Sequence, residues 1–302
     1  NAWATIIGPI QSAYLQHGSQ IPMDSPAMRL AVSKLKSFEV MQDAFTGGVL
    51  YAPAGTPGAQ EGGISAENNI SLLAALRMLR EAIGARDPAT TRIIDELITR
   101  DNKGPGIEDY FTERVYNPAQ GILSSGGFVS RGLDGTPHFE AYENLAVDVQ
   151  TWGLTVLGAD WVDKQFGEGT AFRIWSNTRQ RAGLIENGVL QGVGYTDGTS
   201  MLSGEWTLGA VRMAKEMANT YRISHPDWAQ QLRQDADNML LGVQRLKVSN
   251  PDGSIGYLYA NMDGPTGFGW MARRIQHTGA TNGWMILTLT DFNPFVLGGG
   301  VE

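Results

Sequence analysis

Three carboxyl side chains stand close to the starts of apolar helical segments: Glu67 in GGISAENNISLLAAL, Asp148 in NLAVDVQTWG and Glu205 in MLSGEWTLGAVRMA. Carboxyl groups in such positions can donate or accept protons once their surroundings fix which form each takes. Ser65 and Ser203 stand two residues before Glu67 and Glu205, so each acid follows a serine N-cap. An acid after a cap is also what the helix dipole favours by itself. Asp148 differs. With Asn144 as the cap it lies deeper in its helix, among Val147, Val149, Trp152 and Leu154, where an acid is costly unless paired or facing a cleft. Asp197, in the turn-like GYTDGT, is a fourth acid on a loop.

The elements that must position these groups are helical. Periodicity predicts helices over 2–17, 25–42, 66–83, 88–101, 107–115, about 144–159, 168–183, 203–221, 226–247 and 280–290. Ser25-Pro26, Asp87-Pro88 and His225-Pro226 are strong start signals. Small hairpins are expected at 121–130 and 253–260. Connectors alternate in length. Those at 18–24, 84–87, 160–167 and 222–225 are short, whereas 43–65, 116–143, 184–202 and 248–279 are long and glycine-rich. In a closed array of antiparallel helices every long connector then lies on one face, and loops of that length commonly carry function. The helices after long connectors (SLLAAL, TWGLTVLG, TLGAVRMA, NGWMILTL) are apolar nearly all round, as inner helices are, and those after short connectors are amphipathic, as outer helices are.

This pattern of inner and outer helices resembles the (α/α)-barrel, or α/α-toroid, carbohydrate-active enzymes. The resemblance covers most of the chain as architecture and does not assign a specific family. It implies an all-α fold of five or six helix pairs in one domain, 1–302, with small β-hairpins in the long loops of the active-site face. It implies a substrate cleft at the N-terminal ends of the inner helices. Carried onto this sequence, it makes Glu67, Asp148 and Glu205 the catalytic candidates, with Asp197 a loop alternative. The activity implied is an endo-acting glycoside hydrolase, in which one protonated carboxyl assists the leaving oxygen and one carboxylate activates water or attacks carbon. Glu67, beside Asn68 and Asn69, is the first candidate for the acid, and Asp148 or Glu205 for the base.

Aromatic side chains supply sugar-stacking faces. Trp152 and Trp206 lie near inner-helix starts, and Tyr142, Tyr195, Phe268 and Trp270 on long loops. Asn68, Gln150 and Arg274 complete the substrate-binding candidates, Arg274 being suited to an acidic sugar or a carboxylate. Trp284, inside GWMILTL, reads as core. Two rival readings use the same architecture. One is a polysaccharide lyase or sugar epimerase with His138 and Tyr142 as base and acid; the other is a non-catalytic carbohydrate-binding toroid.

Composition narrows the field. The 302 residues carry a net charge of −8, which argues against a nucleic-acid footprint. With no cysteine, thiolate catalysis, disulfides and cysteine zinc sites are excluded. The four histidines, His17, His138, His225 and His277, have no metal-ligand spacing, so neither metal nor cofactor is expected. No run is long and apolar enough to span a membrane. Charged residues are only 18%, and Gly (38) and Trp (8) are abundant. That balance, with a first residue other than Met, gives the expectation of a periplasmic or secreted monomer whose leader has been removed, acting on an oligo- or polysaccharide.

Overall fold

In the computed structural model the described residues are 2–99, 104–198, 201–275 and 278–300. They divide into two compact units. The first comprises Asn1–Asn117, Ser124–Glu143 and Phe292–Glu302, and the second Pro118–Leu123 and Asn144–Asp291.

The first unit contains helices α1 (Gly8–His17), α2 (Pro26–Met41), α3 (Ala66–Ile83), α4 (Pro88–Ile98) and the single turn α5 (Ile107–Tyr110). Local chemistry sets their starts. Ser25 Oγ accepts from Met28 N–H before α2, Ser65 Oγ accepts from Asn68 N–H before α3, and Asp87 accepts from Thr90 N–H before α4. Helix α3 is the buried element: Ile70, Leu73, Ala75, Leu76 and Leu79 are fully enclosed. The helix expected to run to 101 ends at Ile98; residues 100 and 101 lie outside the described residues.

Beside the start of α3, strands Gly63–Ser65, Gly126–Arg131 and Pro137–Ala141 form an antiparallel sheet with Gly126–Arg131 in the middle. The sequence placed a hairpin within 121–130. Instead that segment supplies the central strand, and both its partners lie outside the expected range. Gly126 explains the close approach, since a Cβ there would stand 2.1 Å from the Ile64 carbonyl oxygen. The approach lets Ser125 C=O accept the Ala66 N–H, one of the donors that a helix start leaves open.

The second unit contains α6 (Val147–Leu157), α7 (Ala159–Phe166), α8 (Thr170–Ala182), α9 (Gly204–Thr220), α10 (Pro226–Gln244) and α11 (Gly279–Leu289). Helix α9 is its centre and packs against α6, α10 and α11. Gly209 permits the α6 contact, because a Cβ there would lie 2.6 Å from Trp152 Nε1. Hairpins Gly183–Glu186/Val189–Val193 and Lys247–Ser249/Ile255–Tyr257 occupy the long connectors. Of the second, only the strand Ile255–Tyr257 lies within the expected 253–260, its partner Lys247–Ser249 coming before it; the first was not foreseen.

Two further corrections concern this unit. Residues 160–167, read as a bare connector, belong almost entirely to α7, whose eight residues pack Ala159 and Val162 inward. Helix α6 begins at Val147 and not after Asn144. Ala146 is extended (φ −112°, ψ 119°), so Asp148 belongs to the first turn. The cause is pairing to a distant loop: Val147 N–H donates to Tyr195 C=O, and Leu145 C=O accepts from Thr196 Oγ1.

Asn69 ties the loop after α2 to α3. Its Oδ1 accepts from Val49 N–H at 2.8 Å, and its Nδ2 donates to Val49 C=O at 3.0 Å and Ser65 C=O at 2.8 Å. Asn69→Leu leaves these buried backbone groups unpaired, and the expected loss is about 2–3 kcal/mol. Urea denaturation measures it; an unchanged midpoint contradicts the role.

Candidate active site

The best-defined site lies in the second unit, at the starts of α6 and α9. Ser203 is fully buried, and its Oγ accepts from Trp206 N–H at 3.3 Å. Ser203 N–H donates to Val193 C=O, and Gly204 N–H donates to Tyr259 C=O, both at 2.9 Å. Ser203 also bridges Ala260. These bonds fix the backbone around Glu205, whose side chain is half-buried in the first turn. Asp148, 8% exposed, occupies the first turn of α6, where Oδ1 accepts from Val149 N–H at 2.8 Å. Peptide dipoles at both helix starts favour the ionised carboxylates.

A tyrosine stands beside the start of α9, tied to it through the bond from Gly204 N–H to its carbonyl. The Tyr259 phenol is raised above its ordinary value, first by burial and further by the negative charges of Glu205 and Asp148. Trp270 Nε1 donates to Tyr259 Oη at 3.3 Å. Tyr195 is fully buried, its ring edge-on to Trp206 at 4.8 Å and 5.6 Å from Tyr259. Burial raises the Tyr195 phenol also, opposed by the Ser203 hydroxyl. Trp206 meets Phe268 at 5.7 Å, and Phe268 meets Trp270 at 5.9 Å. Trp152 stacks on Trp284 at 5.6 Å and 24°.

These placements sort the aromatic candidates. Trp270 is 44% exposed and keeps a face for a ligand. Trp152, Trp206 and Tyr195 are enclosed, so the ring of Tyr195 is a wall of the site and not the loop platform the sequence suggested. Gln150 is fully buried. Its Oε1 accepts from Leu123 N–H, and its Nε2 donates to Leu123 C=O and Ala146 C=O, which makes it a backbone brace in place of the expected sugar contact. Asp197 forms a two-pronged ion pair with Arg181 Nε at 2.6 Å and Nη2 at 2.8 Å, which staples its loop to α8. Arg274 is exposed, and its N–H donates to Asp263 Oδ1 at 2.6 Å.

The remaining candidates lie in the first unit. Trp3 Nε1 donates to Ser71 Oγ at 3.0 Å, and Ser71 Oγ donates to Glu67 Oε1 at 3.0 Å. Burial raises the Glu67 carboxyl above its ordinary value, and the Ser71 hydroxyl partly offsets this. A cavity of ≈ 190 Å³ beside this chain is lined by Trp3, Tyr51, Asn68, Asn69 and Ser71 among others. The Asn68 side chain is exposed, and its N–H donates to the Ser65 cap. Tyr142 Oη donates to Gln60 Oε1 at 2.6 Å. His138 is exposed on the strand Pro137–Ala141, four residues before Tyr142. His277 lies outside the described residues. Among the described residues no group of three or more acids and histidines could hold a metal ion, and no helix is long and apolar enough to cross a membrane.

Sequence reasoning missed Tyr259 and the Trp3–Ser71 chain. The first sits in GYLYANMD, after a hairpin whose length gave no sign that it returns to α9. The second joins residues 68 positions apart.

No protein-family model matches the sequence, and no curated protein matches it. Solved structures do. One is an unsaturated glucuronyl hydrolase from Bacillus sp. GL1, responsible for the degradation of glycosaminoglycan, similar at TM-score 0.55 and 17% identity over 82% of this chain and 63% of its own. Another is a UGL variant with dGlcA-Glc-Rha-Glc, similar at TM-score 0.61 and 15% identity over 95% of this chain and 74% of its own. The likeness shows the fold: an all-α chain with small hairpins, matching α/α-toroid structures. The chain spans 63% of the length of the first of these hydrolases.

Glu67 yields a test within its own unit. The native state holds its proton more tightly than the unfolded chain does, because its native value is the raised one. Stability is therefore lost as pH rises through the ordinary carboxylate range toward that raised value. Glu67→Gln removes this dependence. Its urea midpoint relative to wild type is expected to improve steadily from pH 4 to pH 8; a difference that does not vary with pH contradicts the burial argument.

Proposed function

We propose that the chain is a glycoside hydrolase acting on an oligo- or polysaccharide, with Asp148 and Glu205 as its reacting carboxyl pair. The observation that carries the reading is the placement of the two acids in the first turns of two helices packed together, Asp148 buried on α6 and Glu205 half-buried on α9. Hydrolysis of a glycosidic bond needs this pairing: one carboxyl protonates the leaving oxygen while the other activates water or attacks carbon. The half-exposed face of Trp270 suits a sugar ring next to the pair. The same α/α-toroid fold in an unsaturated glucuronyl hydrolase supports a carbohydrate substrate, and makes oligosaccharides with an unsaturated glucuronyl end the first to try. Glu67, in the first unit, is kept by burial toward its protonated form and so has by itself the property of a general acid. A single catalytic domain working as a monomer outside the cytoplasm belongs to the same proposal, the location being suggested by the sparse charge and the abundance of Gly and Trp.

The test is reducing-end release from a glycan panel that includes unsaturated glucuronyl oligosaccharides. Asp148→Asn and Glu205→Gln are each expected to lower kcat/KM by about 10²–10⁴-fold, with circular dichroism unchanged; Glu67→Gln is assayed beside them. Turnover that survives both substitutions contradicts the assignment. New products absorbing in the near ultraviolet indicate a lyase, and saturable binding without turnover indicates a binding protein.

A further inference from the structure

The first unit carries a groove that none of the candidate carboxyls occupies. It holds ≈ 650 Å³ and is lined by the loop after α2 and by the strand Gly126–Arg131. Small-ligand sites commonly hold about 300–1,000 Å³. Backbone bonds fix its frame: Val129 N–H donates to Gly62 C=O at 2.9 Å, and Tyr51 N–H donates to Gly63 C=O at 3.1 Å. Gly62 (φ 71°) permits the approach, because a Cβ there would stand 2.3 Å from the Val129 carbonyl oxygen. Gln60 is gripped twice. Its N–H donates to Tyr51 Oη, and its Oε1 accepts from Tyr142 Oη at 2.6 Å. Its Nε2 has no partner among the described residues, so two N–H donors stay open. Tyr142 is itself held, its N–H donating to Gly126 C=O at 2.8 Å and its ring 6.4 Å from that of Phe128.

The lining offers three kinds of contact. Phe128 supplies a half-buried aromatic ring. Gln60 and Arg131 supply donors, since Arg131 is exposed and only its Nη1 is engaged, donating to Gly135 C=O at 3.2 Å. Glu61 supplies acceptors: it is exposed, and its carboxylate is unpaired among the described residues. Asp43, the other acid of the lining, is turned to its own loop, where Oδ1 accepts from Phe45 N–H, Thr46 N–H and Thr46 Oγ1. The open charges of Glu61 and Arg131 therefore cancel. A phosphate or sulfate is opposed by Glu61 and by the net charge of −8, and a wholly apolar ligand would strip water from the polar groups without replacing it. A ring with C–H bonds on its face and hydroxyls round its edge satisfies all three kinds of contact. We propose that this groove is a binding site for a neutral saccharide, with a sugar face on Phe128 and sugar hydroxyls on Gln60, Glu61 and Arg131. It binds without cleaving, because Glu61 is its single open acid and glycosidic hydrolysis uses two. The proposal goes beyond the hydrolase reading and does not depend on it, since every residue of the groove belongs to the first unit.

The test reads the groove directly. Protein carrying ¹³C at its Ala, Leu and Val methyls, in the Asp148→Asn background to slow any turnover, is titrated by NMR with hexasaccharides of β-1,4-linked glucose, β-1,4-linked xylose and α-1,4-linked glucose. The methyls of Leu50, Ala52 and Val129, which line the groove, are expected to shift with at least one of the three sugars. Phe128→Ala is expected to raise the midpoint of that shift about ten-fold, and Gln60→Ala about five-fold. Gln60→Ala decides the matter if Phe128→Ala does not fold. Groove methyls that stay unmoved with all three sugars overturn the proposal, as does a midpoint that neither substitution changes. Methyls that respond to inorganic phosphate and to no sugar overturn it in favour of an anion site. If the methyls respond to a sugar and no glycan is turned over, the hydrolase reading falls while the groove stands. If glycans are turned over and the methyls stay, the groove falls and the hydrolase reading is unaffected.

Discussion

The start of α9 is the constraint on which the site depends. A helix beginning in the interior leaves N–H groups that must find acceptors. Here Ser203 Oγ and the Tyr259 carbonyl supply them. The second acceptor comes from a segment more than fifty residues further along the chain, so satisfying the helix also fixes the long connector that carries Tyr259. The Val147 N–H finds its acceptor in the same manner, at Tyr195. Two acids placed early in these helices, where peptide dipoles favour charge, thereby stand in the first turns of two helices that pack together. Packing serves the same end, since Gly209 allows Trp152 to lie against α9 and keeps the two helix starts together.

Much of the helical framework was legible in the sequence because its signals are local. Ser65, Asp87, Ser203 and Pro226 mark helix starts within a residue or two of where they occur, and α3 and α9 carry the all-round apolar texture of enclosed helices. What was misread depends on pairing across the chain. Ala146 is held extended by loop 195–196, which moved the start of α6 and changed Asp148 from a mid-helix acid to a first-turn one. The strand Gly126–Arg131 pairs with a segment sixty residues earlier, a register that no local pattern encodes. Helix α7 was hidden by its shortness and by the charged residues of ADWVDKQF.

The site residues divide along the same line. Acids after serine caps could be nominated from spacing alone, because the cap and the acid lie within one turn. Whether Gln150 or Asp197 faces a ligand could not be, because the Leu123 backbone and Arg181 that engage them lie 27 and 16 residues away. Glu67 shows both sides. Its position was legible; the Trp3–Ser71 chain that sets its surroundings was not.

The most direct measurement of the central claim is a crystal structure of the Glu205→Gln variant soaked with an unsaturated glucuronyl disaccharide. The account predicts a sugar ring against Trp270, with its glycosidic oxygen or anomeric carbon within hydrogen-bond reach of Asp148 and of the amide at position 205. A sugar bound away from both side chains, with Trp270 bare, would contradict it.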